Sequence, residues 1–162
     1  MEQSHNSAFG ISIPSKNIEL ARQWFNEQLA VVNMDKVYLV DFVLDVDELS
    51  VEFVYEIDKY NWLWGVGIKE PKIAVENITI HRSDIHVQGK NFNSVSFMHN
   101  DIKFVQFDMK EDDPLLEWAS AWDGEDNDKI TLNVVGMVGL NEYKGVYTPQ
   151  FIIENSNLTM QN

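Results

Sequence analysis

L-N-V-V-G-M-V-G-L-N-E-Y-K-G-V-Y-T-P-Q-F-I-I-E-N, Leu132 to Asn155, is the clearest local signal in the chain. Two β-rich runs, Leu132–Leu140 and Tyr147–Glu154, flank Asn141–Val146, whose Asn and Gly supply turn chemistry. The segment predicts a β-hairpin with a loop of roughly four to six residues. A hairpin alone does not bury its apolar face in water, so it must complete a sheet made by earlier strands, as the terminal hairpin of a small β-barrel. Leu132, Val134, Val138, Phe151 and Ile153 are its expected core residues.

Upstream, the texture divides at W-L-W-G-V-G-I-K-E-P, Trp62–Pro71, where two glycines and a proline interrupt the periodicity. Before it, a short alternating strand is expected over Ala8–Ile13. A helix follows, capped by Ser15 or Asn17, with Ile18, Leu20, Ala21, Trp24, Phe25 and Leu29 at helical spacing. Val37–Leu44 then reads as a buried strand, and Asp47 opens an amphipathic helix to about Tyr60. After the break the pattern turns to strands: Ala74–His81 continuing bent through Ile85–Gln88, then Asn93–His99, then Ile102–Met109. Asp112–Trp122 is a short helix with Pro114 in its first turn and Leu115, Trp118, Ala119 and Trp122 on one face. Three strands, a helix and two strands is the element order of an OB-fold, a five-stranded Greek-key barrel with its helix between strands three and four. The expected class is therefore α+β, with an α/β segment over 1–62, a linker over 63–72 and the barrel over 73–162.

Composition limits the chemistry. The 162 residues contain no cysteine, so disulfides, thiolate zinc sites and cysteine nucleophiles are excluded; the Asn-x-Thr matches at Asn77 and Asn157 carry no weight. No apolar run approaches the roughly 18 residues of a membrane span, and the first residues lack a signal peptide's basic and apolar regions, so the expectation is a cytoplasmic protein without a membrane partner. The net charge of −14 opposes general polyanion binding. Yet the acidity is uneven: 101–128 holds ten acidic and two basic side chains, whereas 72–100 holds two and three, and 129–162 two and two.

Several segments resemble one family in the same order. S-H-N-S-A-F-G, Ser4–Gly10, is similar to the G-G-H-x-x-A-x-G signature of the DHH-associated domain, with His5, Ala8 and Gly10 in register. L-W-G-V-G-I-K-E-P, Leu63–Pro71, is similar to a P-F-G-x-G-N-x-x-P linker, and the closing hairpin resembles that of the family's OB-fold. The family is that of the RecJ single-strand-specific 5′-to-3′ exonucleases, and the resemblance is to the region following the catalytic DHH domain. Gln3 and Ser4 stand where the family has two glycines, Leu63 replaces a proline and Ile68 an asparagine. The resemblance implies a noncatalytic, single-stranded-DNA-binding part, a remnant of the DHH-associated domain plus an OB-fold. Its partners would be single-stranded DNA and the catalytic DHH domain, in the same or another chain. It implies no cofactor here, the Mg²⁺ or Mn²⁺ belonging to the DHH domain; the sequence contains no D-H-H triplet.

Local clusters add no catalytic or metal site. His81 and His86, five apart on a bent strand, point to opposite faces by alternation. The carboxylates of Asp108–Asp128 lack the register of a calcium loop. Gly65 and Gly67 lack the third glycine of a dinucleotide loop. OB-folds hold single strands across strands two and three and through the loops joining strands one to two and four to five. Those loops are about Gly89–Asn93, with Lys90 and Phe92, and Asn141–Thr148, with Asn141, Tyr143, Lys144 and Tyr147. Both lie in the acid-poor windows, and Lys103 offers a third cation. The resemblance adds His5 and Gly10 to these candidate DNA-binding residues. Two readings of the aromatics stay open: Phe92 and Tyr147 stack on bases, or they pack the barrel. A rival function also stays open, a stand-alone acidic module, of phage or bacterial origin, that docks a basic partner or imitates DNA.

Overall fold

The closing hairpin forms with arms longer than its periodicity predicts. Strands β6, Lys129–Tyr143, and β7, Val146–Thr159, pair from Thr131↔Thr159 to Tyr143↔Val146. Only Lys144 (φ 52°) and Gly145 (φ 79°) remain in the turn. Positive φ at both central residues is the mirror-image turn whose twist matches paired strands, so the loop closes in two residues and the expected four to six are not used. In this computed structural model residues 12–30, 37–121 and 128–159 are described. The chain separates into two units, Met1–Val37 and Tyr38–Asn162.

In the first unit, Ser15–Asn17 forms a 3-10 turn that leads into helix α1, Ile18–Leu29. No side chain caps α1, contrary to the expectation for Ser15 or Asn17, and none of its residues is buried. Trp24 and Phe25 meet edge to face with ring centroids 5.2 Å apart. The expected strand over Ala8–Ile13 lies partly outside the described residues, and its described end is not a strand.

The second unit is one seven-stranded sheet in the order β1-β2-β6-β7-β5-β4-β3. Here β1 is Phe42–Asp45, β2 Ile73–His81, β3 His86–Gln88, β4 Ser94–His99 and β5 Ile102–Gln106. The strands at the two ends of the six that follow β1 in this order, β2 and β3, are consecutive in the chain, separated by the 3-10 turn Arg82–Asp84. Counted as one bent strand, they return the order β2-β6-β7-β5-β4-β3 to its start, the OB-type arrangement with β5 and β7 parallel. Helix α3, Pro114–Ser120, lies between strands three and four as expected; Asp113 caps it and Leu115, Leu116, Trp118 and Ala119 are buried. Trp122 lies outside the described residues.

The expected boundary over 63–72 requires correction, because the sheet runs across it. Strand β1 pairs in parallel with β2, Phe42↔Ile73 to Asp45↔Glu76. Helix α2, Val51–Asp58, lies on the crossover that a parallel pair requires. The Lys72 backbone N–H donates to an Asp41 carboxylate oxygen at 2.8 Å, fixing the return. The strand expected over Val37–Leu44 starts only at Phe42, and Leu39 is 89% exposed. Asp45, not Asp47, provides a capping box, and Ser50 caps α2.

All five expected hairpin core residues are buried. Phe97, Phe104 and Phe151, cross-strand neighbours on β4, β5 and β7, form a stack inside the barrel with centroids 4.9 Å and 5.2 Å apart. Full burial of each is worth about 1.5–3 kcal/mol. β7 approaches closely at Gly136, where a Cβ would lie 2.0 Å from the Ile152 carbonyl oxygen.

Candidate nucleic-acid interface

Alternation about the phenylalanine stack assigns the faces. Val95 and Phe97 of β4 and Ile102, Phe104 and Gln106 of β5 point inward, so Ser94, Ser96, Met98, Lys103 and Val105 point outward. Register extends these into two rows across the outer face. One runs His86, Ser96, Val105, Ile152, Met137, and the next Met98, Lys103, Gln150, Gly139. The middle of this face has short side chains, and Ser94, Ser96 and Val105 are themselves buried. The accessible part of this face is the row of Lys103 and Gln150, beside the exposed Met98.

At one end the β6–β7 hairpin outruns the barrel. Strand β5 stops pairing at Lys103↔Gln150 and β2 at Ile73↔Gly136, while the hairpin continues to Tyr143↔Val146. Residues 140–149 thus form a projecting two-stranded ribbon. Asn141, Tyr143, Val146 and Thr148 continue the outer face of Lys103 and Gln150, and the Lys144 ammonium lies 5.2 Å from the Tyr143 ring centroid. Tyr147 is on the reverse face, directly opposite Glu142. It therefore does not join Tyr143 in one surface, a consequence of the two-residue turn fixing the register.

The turn after β3 occupies the other end. Phe92 adopts φ 52° and is 71% exposed. A left-handed conformation is unfavourable for a bulky side chain, at about 1–3 kcal/mol. It is held by the Phe92 N–H donating to the Gly89 carbonyl (3.2 Å), while the next carbonyl, of Asn93, accepts from the Met109 N–H (2.8 Å). The ring borders two open clefts. One, of about 610 Å³, includes Lys110, Glu111 and Asp112; the other is lined by Ile85, His86, Val87, Ala119 and Ser120. The acid-poor window around Lys90 is thus adjacent in space to acids from the 101–128 stretch.

Phe92, Tyr143 (67% exposed) and Tyr147 (54%) do not pack the barrel. Four steps along β4 from Ser94 to Met98 and four along β7 from Gln150 to Val146 separate the two ends by about 26 Å at roughly 3.3 Å per residue. Lys90 and Phe92 stand at one end, Lys103 between, and Asn141, Tyr143 and Lys144 at the other. His5 and Gly10 lie outside the described residues. Ser96, Met98, Gln150 and Thr148 were not singled out from sequence; the strand alternation that marks them becomes usable once the register is known. Among the described residues no three His, Asp or Glu side chains converge to hold a metal ion. No helix among them is long and apolar enough to cross a membrane.

Comparison with known proteins converges on one family. The model of the RecJ OB domain matches residues 40–155. The chain is 33% identical over 153 residues to the SPbeta prophage-derived protein YorK of Bacillus subtilis (strain 168), named as a single-strand DNA-specific exonuclease, and equally to yorK of Bacillus phage SPbeta. These alignments cover 93% of this chain and 26% of the relatives, so the chain spans about a quarter of their length. Among solved structures, RecJ of Thermus thermophilus in complex with Mn²⁺ has the same fold over 97% of this chain and 22% of its own, with a TM-score of 0.56 at 13% identity. Its Mg²⁺ complex gives a TM-score of 0.53 at 11% identity over 90% of this chain and 21% of that one.

Proposed function

Because the chain belongs to the RecJ OB domain family, we propose that it is a noncatalytic part of a RecJ-like single-strand-specific exonuclease that holds and guides single-stranded DNA. The hydrolytic chemistry and its Mg²⁺ or Mn²⁺ reside in a DHH domain, in the same or another chain. One arrangement carries this reading: Met98, Lys103 and Gln150 on the outer face of the sheet, continued by the ribbon that carries the exposed Tyr143 with Lys144, and at the other end the turn that carries the exposed Phe92 with Lys90. Every base has a π-face, so an exposed ring binds without sequence preference, at roughly 1–3 kcal/mol per stacked base. Three lysines against a net charge of −14 make phosphate contact sparse and binding weak.

Fluorescence anisotropy with labelled oligonucleotides at low salt tests the reading, and binding that weakens as salt rises is expected. The chain with Mn²⁺ should leave a 5′-labelled single strand at full length. Absence of binding at low salt favours the second reading, an acidic module that docks a basic partner or imitates DNA, which the net charge and the placement of Glu111 and Asp112 beside Phe92 support.

A further inference from the structure

Of the two clefts that border Phe92, the larger has a wall that phosphate contact does not use. Its apolar side is the exposed Phe92 ring with Met109 and Leu116, both themselves buried. Its polar side is Asn91, Asn93, Glu111 and Asp112. Backbone bonds hold the two stretches of chain together: the Met109 N–H donates to the Asn93 carbonyl (2.8 Å), and the Asp113 N–H closes a turn on the Lys110 carbonyl (3.0 Å). Asp113 is committed to the cap of α3, where its carboxylate accepts from the N–H groups of Leu115 and Leu116. Glu111 and Asp112 are exposed, and among the described residues their carboxylates have no hydrogen-bond or ion-pair partner. At about 610 Å³ the cleft has the size of a small-molecule site, roughly 300–1,000 Å³.

Hydrogen-bond chemistry selects the occupant. An ionised carboxylate only accepts, so this wall repels phosphate and matches a group that carries N–H. Lys110 lines the same cleft and offsets part of the repulsion on an entering strand. Stacking on the Phe92 ring accepts any base. The polar wall discriminates: guanine presents two adjacent donors, N1–H and the 2-amino group, whereas thymine turns two carbonyl oxygens and a single N–H toward the acids.

We propose that this cleft is a base-selective subsite on the path of the single strand. Phe92 stacks on one nucleobase, and Glu111 and Asp112 accept from its Watson–Crick edge, favouring guanine and disfavouring thymine. The Asn91 and Asn93 amides complete the match by donating to the guanine O6. The proposal rests on the DNA-binding reading and adds to it a preference that the ring alone does not give.

Fluorescence anisotropy at low salt tests it with the full chain and three labelled strands: alternating thymine and guanine, alternating thymine and inosine, and thymine alone. Inosine keeps the purine ring and N1–H of guanine and lacks the 2-amino group, so stacking is held nearly constant. The guanine strand should bind at least about fivefold tighter than the inosine strand, and the thymine strand weakest. In Glu111→Ala/Asp112→Ala the guanine and inosine strands should bind alike, with melting unchanged because both side chains are exposed. Phe92→Ala should weaken all three strands. Equal affinity of wild type for the guanine and inosine strands overturns the proposal and leaves DNA binding standing, the result expected if the acids serve only to hold a basic partner. A preference that survives the double substitution overturns it as well, and so does a Phe92→Ala chain with undiminished affinity. Binding of none of the strands removes the subsite and the DNA-binding reading together.

Discussion

Tyr143 and Tyr147 stand four residues apart around one two-residue turn and face opposite ways, Tyr143 paired with Val146 and Tyr147 with Glu142. Only Tyr143 shares the face of Lys103 and Gln150. A strand lying across that face meets the Tyr143 ring and misses Tyr147, which has a carboxylate opposite it. Tyr143→Ala should weaken single-stranded DNA binding by roughly 1–3 kcal/mol, while Tyr147→Ala leaves it within a few tenths. Both rings are exposed, so neither change should move the melting temperature appreciably. Anisotropy titrations of the two variants side by side decide it; equal losses would place the strand on the wrong face.

Salt dependence reports how many lysines touch phosphate. Lys90, Lys103 and Lys144 lie along the proposed path. At roughly 0.7 units of log slope per phosphate neutralised, they give a slope of about 2. Lys103→Ala should lower it by about 0.7 without changing its linearity. A slope unaltered by Lys103→Ala means that DNA bypasses the middle of the face.

The barrel core was legible because inward residues repeat with period two along a long hairpin, and the α3 start because Pro114 follows the capping Asp113. The turn length was not. Asn141–Val146 contains loop-forming residues, and only the pairing of Tyr143 with Val146 shows that Lys144 and Gly145 suffice. That slip decides which way each tyrosine points. Nor was the partnership of β1 with β2 legible, since it is a tertiary pairing closed by Lys72 and Asp41, and local periodicity carries no record of it. The acid-poor windows were a sequence property that folding partly undoes, by setting Glu111 and Asp112 beside Phe92.

Gly136 is the position where the hairpin leaves no room. A methyl group there would meet the Ile152 carbonyl oxygen at 2.0 Å and the Phe151 Cε1 at 2.7 Å, and the backbone atom does not move without disturbing the β6–β7 ladder. Gly136→Ala should destabilise the fold by at least about 1–3 kcal/mol. For a chain of this size that lowers the melting temperature by roughly 2–4 °C per kcal/mol. Gly139→Ala is the control, with no atom within 4 Å of its Cβ; equal melting of the two variants would refute the close approach.

The carboxyl of Glu70 links stability to pH with a definite sign. Partial loss of hydration first, and then Asp58, raise its pKa above the ordinary 4.5, so the native state holds this proton more tightly than the unfolded chain. The penalty is absent below the unfolded pKa of 4.5, grows as pH rises toward the folded value and is complete above it. Glu70→Gln should therefore raise the melting temperature at pH 7, with the gain shrinking as pH falls through the range just above 4.5. Asp58→Asn should give a smaller gain, since like charge is the lesser cause. Thermal melts of wild type and variants at pH 4 and pH 7 measure it. A variant that melts no higher than wild type at pH 7 contradicts the like-charge account.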